Sequence, residues 1–384
     1  MTRRAAVVVL DACGIGALPD AEQYGDAGAH TLGHLARRVG GLRLPHLQRL
    51  GLGSIDDLEG VAPAEHPVLH GTLSALGPGK DSAAGHWELM GAVASAPLPT
   101  YPAGFPPEVL RELERATGRR FCANVVSDGM QVLEDFGEHH LATGELILYT
   151  SVDSVLQVAG HEDVLAPDEL HRVCAAARGV MQGDHAVGRV IARPFAGAPG
   201  AFERVAGRRD FAVAPPAPSA LETLAARGSE VHAVGKVADL FAGAGGVSAA
   251  HPGSTNAVAL QETTRLLAQL RSGLVFTNLV ETDQVFGHRK DVEGFHRALQ
   301  EIDAVVGEWL EVLGEDDLLV LTADHGVDPD MAHADHTRER VPLLAVFAGH
   351  GGRRHDGAMA DVGQSVLTWL TGEGDPVLPG RSFV

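Results

Sequence analysis

Four short aliphatic runs, spread over the whole chain, each end on a turn rich in acids, histidines or glycine. Ala5–Leu10 ends on Asp11, and Leu274–Val280 runs into Glu281-Thr282-Asp283. Leu318–Thr322 leads to Asp324-His325-Gly326, and Val341–Ala348 to a glycine-rich turn. Runs without polar alternation suit strands covered on both faces, which limits the fold to a sheet buried between layers.

Helical patterns separate these runs. From Val292, apolar residues recur at Phe295, Leu299, Ile302, Val306, Trp309 and Leu313, a helical stripe. Residues 254–271, with Ser254 or Thr255 as a cap, and 359–371 read the same way. Strand alternating with helix predicts a doubly wound α/β domain, whose ligands gather at the carboxyl ends of the strands. Asp11, Asp283, Asp324 and His325 all fall just past such ends, so residues more than 300 positions apart are expected to converge at one edge.

The middle of the chain breaks the pattern. "SAPLPTYPAGFPPE" (95–108) holds five prolines, and a second proline-rich stretch, "VAPPAPSALE", spans 213–222. Between them, helix patterns such as Asp168–Gln182 mix with strand patterns such as Leu146–Ser151 and Gly188–Pro194. The expected organisation is a core made of 1–97 and 214–384, interrupted by a smaller α+β domain at 98–213.

A formal net charge of −20 argues against a nucleic-acid or anionic-membrane partner, and makes bound divalent cations easier to accommodate. The three cysteines, Cys13, Cys122 and Cys174, form no Cys-x-x-Cys pair, which argues against a disulfide framework or a structural zinc. The apolar run after Arg3-Arg4 stops at Asp11, shorter than the roughly 7–15 residues of an export signal, so the chain reads as cytoplasmic. No run reaches the ~18 apolar residues of a membrane span.

"VETDQVFGHRKD" (280–291) places Asp283 and His288 five residues apart, and "TADHGVDPDMAHADHTRE" (322–339) supplies Asp324, His325 and His336. With Asp11 these are three aspartates and three histidines. Any one histidine of the chain's 20 is more simply a structural hydrogen-bonder; the shared post-strand placement is what singles these out. Oxygen and imidazole donors without thiolates favour Mn²⁺, Zn²⁺ or a related ion, and six such donors suit two ions. Two adjacent ions can hold the attacking and leaving oxygens of a phosphoryl transfer and activate a hydroxyl.

"GPGKDSAAGHWELMG" (77–91) lacks the aliphatic periodicity of a core strand or helix and reads as a polar loop. It is not a phosphate-binding P-loop, because Gly79-Lys80 is followed by Asp81 rather than Ser or Thr. Nor is it a Gly-x-Ser-x-Gly nucleophile elbow, since Ser82 follows Asp81.

Taken together, "VVLDACGIGALPDAEQYGD" (8–26), "GKDSAAGHWELMG" (79–91), "LYTSVDSVLQVAGHE" (148–162), "VGRVIARPFAG" (187–197), "VETDQVFGHRKD" and "LTADHG…DHTRE" resemble the phosphopentomutase family of the alkaline phosphatase superfamily. The resemblance implies an alkaline-phosphatase-like core with the inserted domain as a cap. It implies that Asp11, Asp324 and His325 bind one Mn²⁺, and Asp283, His288 and His336 a second. Ser82 stands at the position of the family's phosphorylated threonine, so the loop's hydroxyl would be the nucleophile. Ser151, Asp153, Arg189, Ile191 and Arg204 of the cap, with Lys236 of the core, would contact substrate. The guanidinium fork suits phosphate oxygens, and Asp153 suits sugar hydroxyls.

The implied reaction interconverts ribose (or 2-deoxyribose) 1-phosphate and the 5-phosphate through a phosphoserine and a bisphosphate. Glucose 1,6-bisphosphate or ribose 1,5-bisphosphate would serve as activator, with small sugar phosphates as the only partners of an acidic monomer. The sequence departs from the family pattern at Ser82, at Ala83 and Ala84, at Val327 and in 124–130. A metal-dependent phosphatase or a phosphoglycerate-mutase-like enzyme shares the same core residues and remains the alternative. A non-catalytic sugar-phosphate sensor is disfavoured because Ser82 and all six ligands are present.

Overall fold

The computed structural model of the chain describes residues 3–151, 153–243, 245–349 and 351–384. The chain divides into two compact units, Met1–Ala96 with Pro215–Val384, and Pro97–Ala214. In chain order the strands are β1 (Arg4–Leu10), β2 (Leu69–Ser74), β3 (Phe121–Val126), β4 (Leu146–Thr150), β5 (Val155–His161), β6 (Arg189–Ala196) and β7 (Glu203–Arg204). They continue as β8 (Arg209–Ala212), β9 (Val231–Val234), β10 (Ala249–His251), β11 (Gly273–Leu279), β12 (Asp317–Thr322), β13 (Val341–Val346) and β14 (Gly357–Ala358).

The larger unit is built on an eight-stranded sheet ordered β10-β9-β11-β1-β12-β13-β2-β14. Its centre explains where the chemistry can sit. β1 pairs in parallel with β11, Leu10 opposite Leu279, and with β12, Val9 opposite Thr322. Because the three strands stop at nearly one level, the residues that follow them leave the sheet along one edge. Every residue of β11 and β12 is buried, as continuous apolar runs require. Helices Asn256–Gln269, Val292–Val312 and Asp361–Thr371 supply the covering layers. Thr255 caps the first of them by accepting a hydrogen bond from the Val258 N–H.

One strand runs against its neighbours, and one expectation changes. β13 reads like its parallel neighbours, yet it pairs antiparallel with both β12 and β2. An apolar run reports burial on both faces, not direction, and the antiparallel turn-back from β12 needs no crossover helix. The segment read as a polar loop is in fact a helix, Ser82–Leu89, with Gly85, His86, Trp87 and Glu88 all buried. Because it is enclosed on every side, it carries no amphipathic stripe for the sequence to display.

The smaller unit has its own sheet, β3-β4-β5-β6-β7, with β8 paired to β6. Leu146 and Leu148 of β4 pack with Val109, Leu113, Leu170 and Cys174 from helices Pro107–Thr117 and Pro167–Val180. Ile147 and Tyr149 pack with Val132 and Leu133 of helix Gln131–Thr143. This alternation leaves the sheet clothed on both faces.

Candidate metal centre

Asp11 follows β1 directly, and the next residue, Ala12, takes a left-handed backbone conformation with φ 64°. That conformation disfavours a residue with a Cβ and is tolerated where surrounding structure enforces it. Here it aims the Ala12 N–H at Asp324 Oδ1, 3.1 Å away. Beyond β11 the chain makes one wide π-helical turn, Thr282–Gly287, in which the His288 N–H donates to the Asp283 carbonyl at 3.1 Å. An i→i+5 turn sets residues five apart over one another, so Asp283 and His288 meet; such turns concentrate at functional sites.

The six acids and histidines fall into two groups with donor atoms close enough to hold an ion each: Asp11, Asp324 and His325, and Asp283, His288 and His336. His325 Nε2 lies 3.3 Å from both Asp11 Oδ1 and Asp324 Oδ2. His288 Nε2 and His336 Nε2 each lie 3.4 Å from Asp283 Oδ1. The groups adjoin, with the His325 and His336 ring centroids 4.0 Å apart.

Whether a cation fits can be read from proton placement. His325 Nδ1 donates to the Gly326 carbonyl at 3.1 Å and His288 Nδ1 to the Ala334 carbonyl at 2.7 Å, which turns both Nε2 atoms toward carboxylates. Asp11 Oδ1, Asp283 Oδ1, Asp324 Oδ2 and His336 Nε2 are buried without any hydrogen bond. Four orphaned acceptors in one enclosure are costly unless a positive charge lies among them.

The electrostatics agree. Burial and the neighbouring Asp324 and Asp283 carboxylates push Asp11 up to about 7. Burial works against a charged His325, but Asp324, Asp11 and Asp283 outweigh it and push the ring up to about 10. Both shifts show a cluster short of positive charge, and the donor set fits divalent metal ions.

Ser82 Oγ lies 3.0 Å from His325 Nε2 at the first position of its helix. The surrounding segment is anchored residue by residue. The Glu88 carboxylate accepts from the Leu76 and Gly77 N–H groups at 2.7 and 2.8 Å, Tyr24 Oη donates to the Pro78 carbonyl, and Arg338 donates to the Gly79 carbonyl. Lys80 Nζ pairs with Asp26 at 2.9 Å, and Asp81 caps the helix through the Ala83 and Ala84 N–H groups. Asp26 is fully buried and also accepts from His333 Nε2 and the Arg338 N–H, so one carboxylate links the Ser82 segment to the His336 segment.

Asp26, His86 and Asn278 were not singled out from the sequence. Their one local signal is polar character inside apolar or glycine-rich surroundings.

The remaining expected residues are placed as follows. Arg189 and Ile191 share one face of β6 with Arg193, while Val190 and Ala192 face the core cluster. Arg193 Nε donates to Gln157 Oε1 at 3.1 Å, and Arg189 lies 3.6 Å from Asp210. Ser151 and Asp153 occupy the turn between β4 and β5, where the Asp153 N–H donates to Ser151 Oγ at 3.3 Å. That turn reaches β6 through the Arg189 N–H, which donates to the Ser154 carbonyl. Arg204 sits on β7, opposite Phe195 rather than Arg189. Ile191 is buried in the strand. Lys236 begins the short helix after β9, in the larger unit.

An alkaline-phosphatase-like α/β core carrying two acid–histidine groups defines a class, and residues 3–373 match the family described as the metalloenzyme superfamily. The chain is 46% identical over 345 residues to a phosphopentomutase of Caldanaerobacter subterraneus subsp. tengcongensis, covering 90% of this chain and 87% of that protein. It is 43% identical over 387 residues to a phosphopentomutase of Dictyoglomus turgidum, covering 100% of this chain and 97% of that one. Among solved structures, a phosphoglycerate mutase of Leishmania mexicana at low cobalt concentration matches with a TM-score of 0.51 and 14% identity, over 99% of this chain and 97% of that one, a likeness of fold. The chain belongs to the phosphopentomutase family, and is thus an enzyme of the isomerase kind. Among the described residues no helix is long and apolar enough to cross a membrane.

Proposed function

We propose that this enzyme interconverts α-D-ribose 1-phosphate, or its 2-deoxy form, with the 5-phosphate through a phosphorylated Ser82. The observation that carries the reading is the Ser82 hydroxyl at 3.0 Å from His325, whose ring adjoins His336 of the other acid–histidine group. Asp11, Asp324 and His325 would hold one Mn²⁺ and Asp283, His288 and His336 the other. When bound, such ions supply the positive charge that lowers a hydroxyl's pKa and balances a phosphoryl group.

The residues of the chain then have distinct tasks. Phosphorylated Ser82 donates its phosphoryl group to the free hydroxyl of the bound sugar monophosphate; the P–Oγ bond breaks as the new P–O bond forms, and the proton given up by the sugar hydroxyl is regained at Ser82 Oγ, giving a bisphosphate. Ser82 Oγ next attacks the phosphorus of the other ester; the P–O bond to the sugar breaks as the P–Oγ bond forms, the serine proton passes to the freed sugar oxygen, and the isomeric monophosphate leaves. A sugar bisphosphate, glucose 1,6-bisphosphate or ribose 1,5-bisphosphate, supplies the first phosphoryl group. Arg189 and Arg204 would grip phosphate oxygens in a bidentate fashion, Asp153 and Ser151 would orient the sugar hydroxyls, Ile191 would pack against the sugar, and Lys236 would add a positive charge. Small sugar phosphates are the partners this reading needs.

The test follows α-ribose 1-phosphate by ³¹P NMR with Mn²⁺ and glucose 1,6-bisphosphate, with Ser82→Ala in parallel. Ribose 5-phosphate from the parent alone is the expected result. Inorganic phosphate as the product would replace the mutase with a phosphatase, and turnover by Ser82→Ala would remove Ser82 from the chemistry.

A further inference from the structure

One fully buried polar chain joins the first metal group to the nucleophile's backbone. Asn278 lies beside Thr277 near the carboxyl end of β11 and is 1% exposed. Its Nδ2 donates to Asp11 Oδ2 at 2.7 Å and reaches His86 Nε2 at 3.2 Å. A carboxylate oxygen can only accept, so Asp11 fixes which end of the amide faces it, and the second amide hydrogen faces His86 Nε2.

His86 Nδ1 donates to the Ser82 carbonyl at 2.8 Å and stands 3.2 Å from Asp324 Oδ2. The ring is 0% exposed and packs beside Phe276, centroids 5.7 Å apart, so it has little room to turn. Gly85 lets the helix approach this closely, since a Cβ there would stand 2.3 Å from the Asp324 carbonyl oxygen.

We propose that Asn278 and His86 are positioning residues for the phosphoryl transfer: Asn278 joins His86 to Asp11, and His86 ties the Ser82 backbone to Asp324. The inference rests on Ser82 being the phosphorylated residue. Its consequence is specific. Displacing His86 loosens Ser82 and disturbs two carboxylates of one metal group together, whereas a purely structural histidine would leave metal affinity and kcat unchanged in a folded variant. Partners of this kind, behind metal ligands, commonly contribute tenfold to a hundredfold in metal affinity or activity.

The decisive measurement is made on the metal-loaded full chain. Asn278→Asp keeps the shape and removes the amide donors. It is expected to weaken Mg²⁺ binding by calorimetry roughly tenfold to a hundredfold and to lower kcat far more than it raises KM. Unchanged Mg²⁺ affinity or unchanged kcat in a folded Asn278→Asp protein overturns the proposal; if that variant does not fold, His86→Gln is measured in the same way, with the same expected and overturning results. Ser82→Ala separates the two readings: if it still turns over, Ser82 is not the phosphorylated residue, while the Mg²⁺ affinity of the Asn278 variant stands apart from that outcome.

Discussion

Ser82 Oγ stands 3.0 Å from His325 Nε2, although 243 positions of chain separate the two residues. Ser82 opens a helix that Asp81 caps, and His325 follows a central strand whose neighbours stop at the same level. The contact therefore depends on how the helix docks as much as on the sheet, and the first prediction concerns the hydroxyl itself. Ser82→Thr keeps the nucleophile and adds only a β-methyl, so turnover of ribose 1-phosphate should persist. Ser82→Ala should lose at least about a thousandfold in kcat, as when a nucleophile is removed from a working site. Circular dichroism and Mg²⁺ calorimetry on both variants should match the parent.

Removal of metal should be visible in stability. Asp11, Asp283 and Asp324 leave buried oxygens facing one another without hydrogen bonds. A ligand at a hundred times its Kd stabilises by about 2.7 kcal/mol, so EDTA should lower the thermal midpoint and added Mn²⁺ should restore it. Midpoints identical with and without chelator would contradict the two groups as ion sites.

Gly85→Ala inverts the usual helix rule. Alanine normally gains up to about 1 kcal/mol over glycine inside a helix. Here the new methyl would meet the Asp324 carbonyl oxygen at 2.3 Å and its Cβ at 2.7 Å. A net loss of about 1–3 kcal/mol is expected from urea unfolding of the metal-loaded protein, as for overpacked cores, together with weaker metal binding.

Asp26→Asn tests the link between the two site-bearing segments. The carboxylate accepts from Lys80, His333 and the Arg338 N–H, and an amide in its place turns one acceptor into a donor facing donors. Unfolding should become easier by on the order of 2–4 kcal/mol, and kcat should fall because Lys80 and Arg338 border Ser82 and His336 in the chain.

In the smaller unit, His140 should set a pH response. Its Nδ1 donates to the Glu145 carbonyl at 2.7 Å and its Nε2 accepts from the His161 N–H at 2.9 Å, an arrangement open only to the neutral ring. Burial first, then the neighbouring His161 and His139, hold it below the ordinary histidine value despite the Glu145 hydrogen bond. The unfolded chain then binds a proton that the native chain refuses, so this contribution is complete above about pH 6.5 and is lost as pH falls from there toward the lower native value. NMR should find the His140 ring titrating below the ordinary histidine value, and urea stability should fall less steeply below pH 6.5 in His140→Gln than in the parent.

Much of the α/β core was legible because burial and chemistry are written locally. The runs ending at Leu10, Leu279 and Thr322 have no polar alternation, and Asp11, Asp283 and Asp324 follow them within a few residues. The five-residue step from Asp283 to His288 was also visible, though only the π turn shows why that spacing lets the two meet. Residues 82–89 went the other way. A helix enclosed on all sides has no stripe, so its sequence reads as a loop, and only the packing of Trp87, Glu88 and Gly85 defines it as a helix.

What the sequence by itself determined is the set of parts: apolar strands, a helical period between them, and acids and histidines at strand ends, since each follows from residue type and spacing within about a dozen positions. Only the tertiary structure decided the antiparallel direction of β13, the meeting of Ser82 with His325, and the roles of Asp26, His86 and Asn278. A buried polar side chain is defined by its partners, and those partners lie 192 positions away for Asn278 and His86 and 307 for Asp26 and His333. No local pattern encodes such pairs; they arise when strand register and helix docking bring donors and acceptors together out of water.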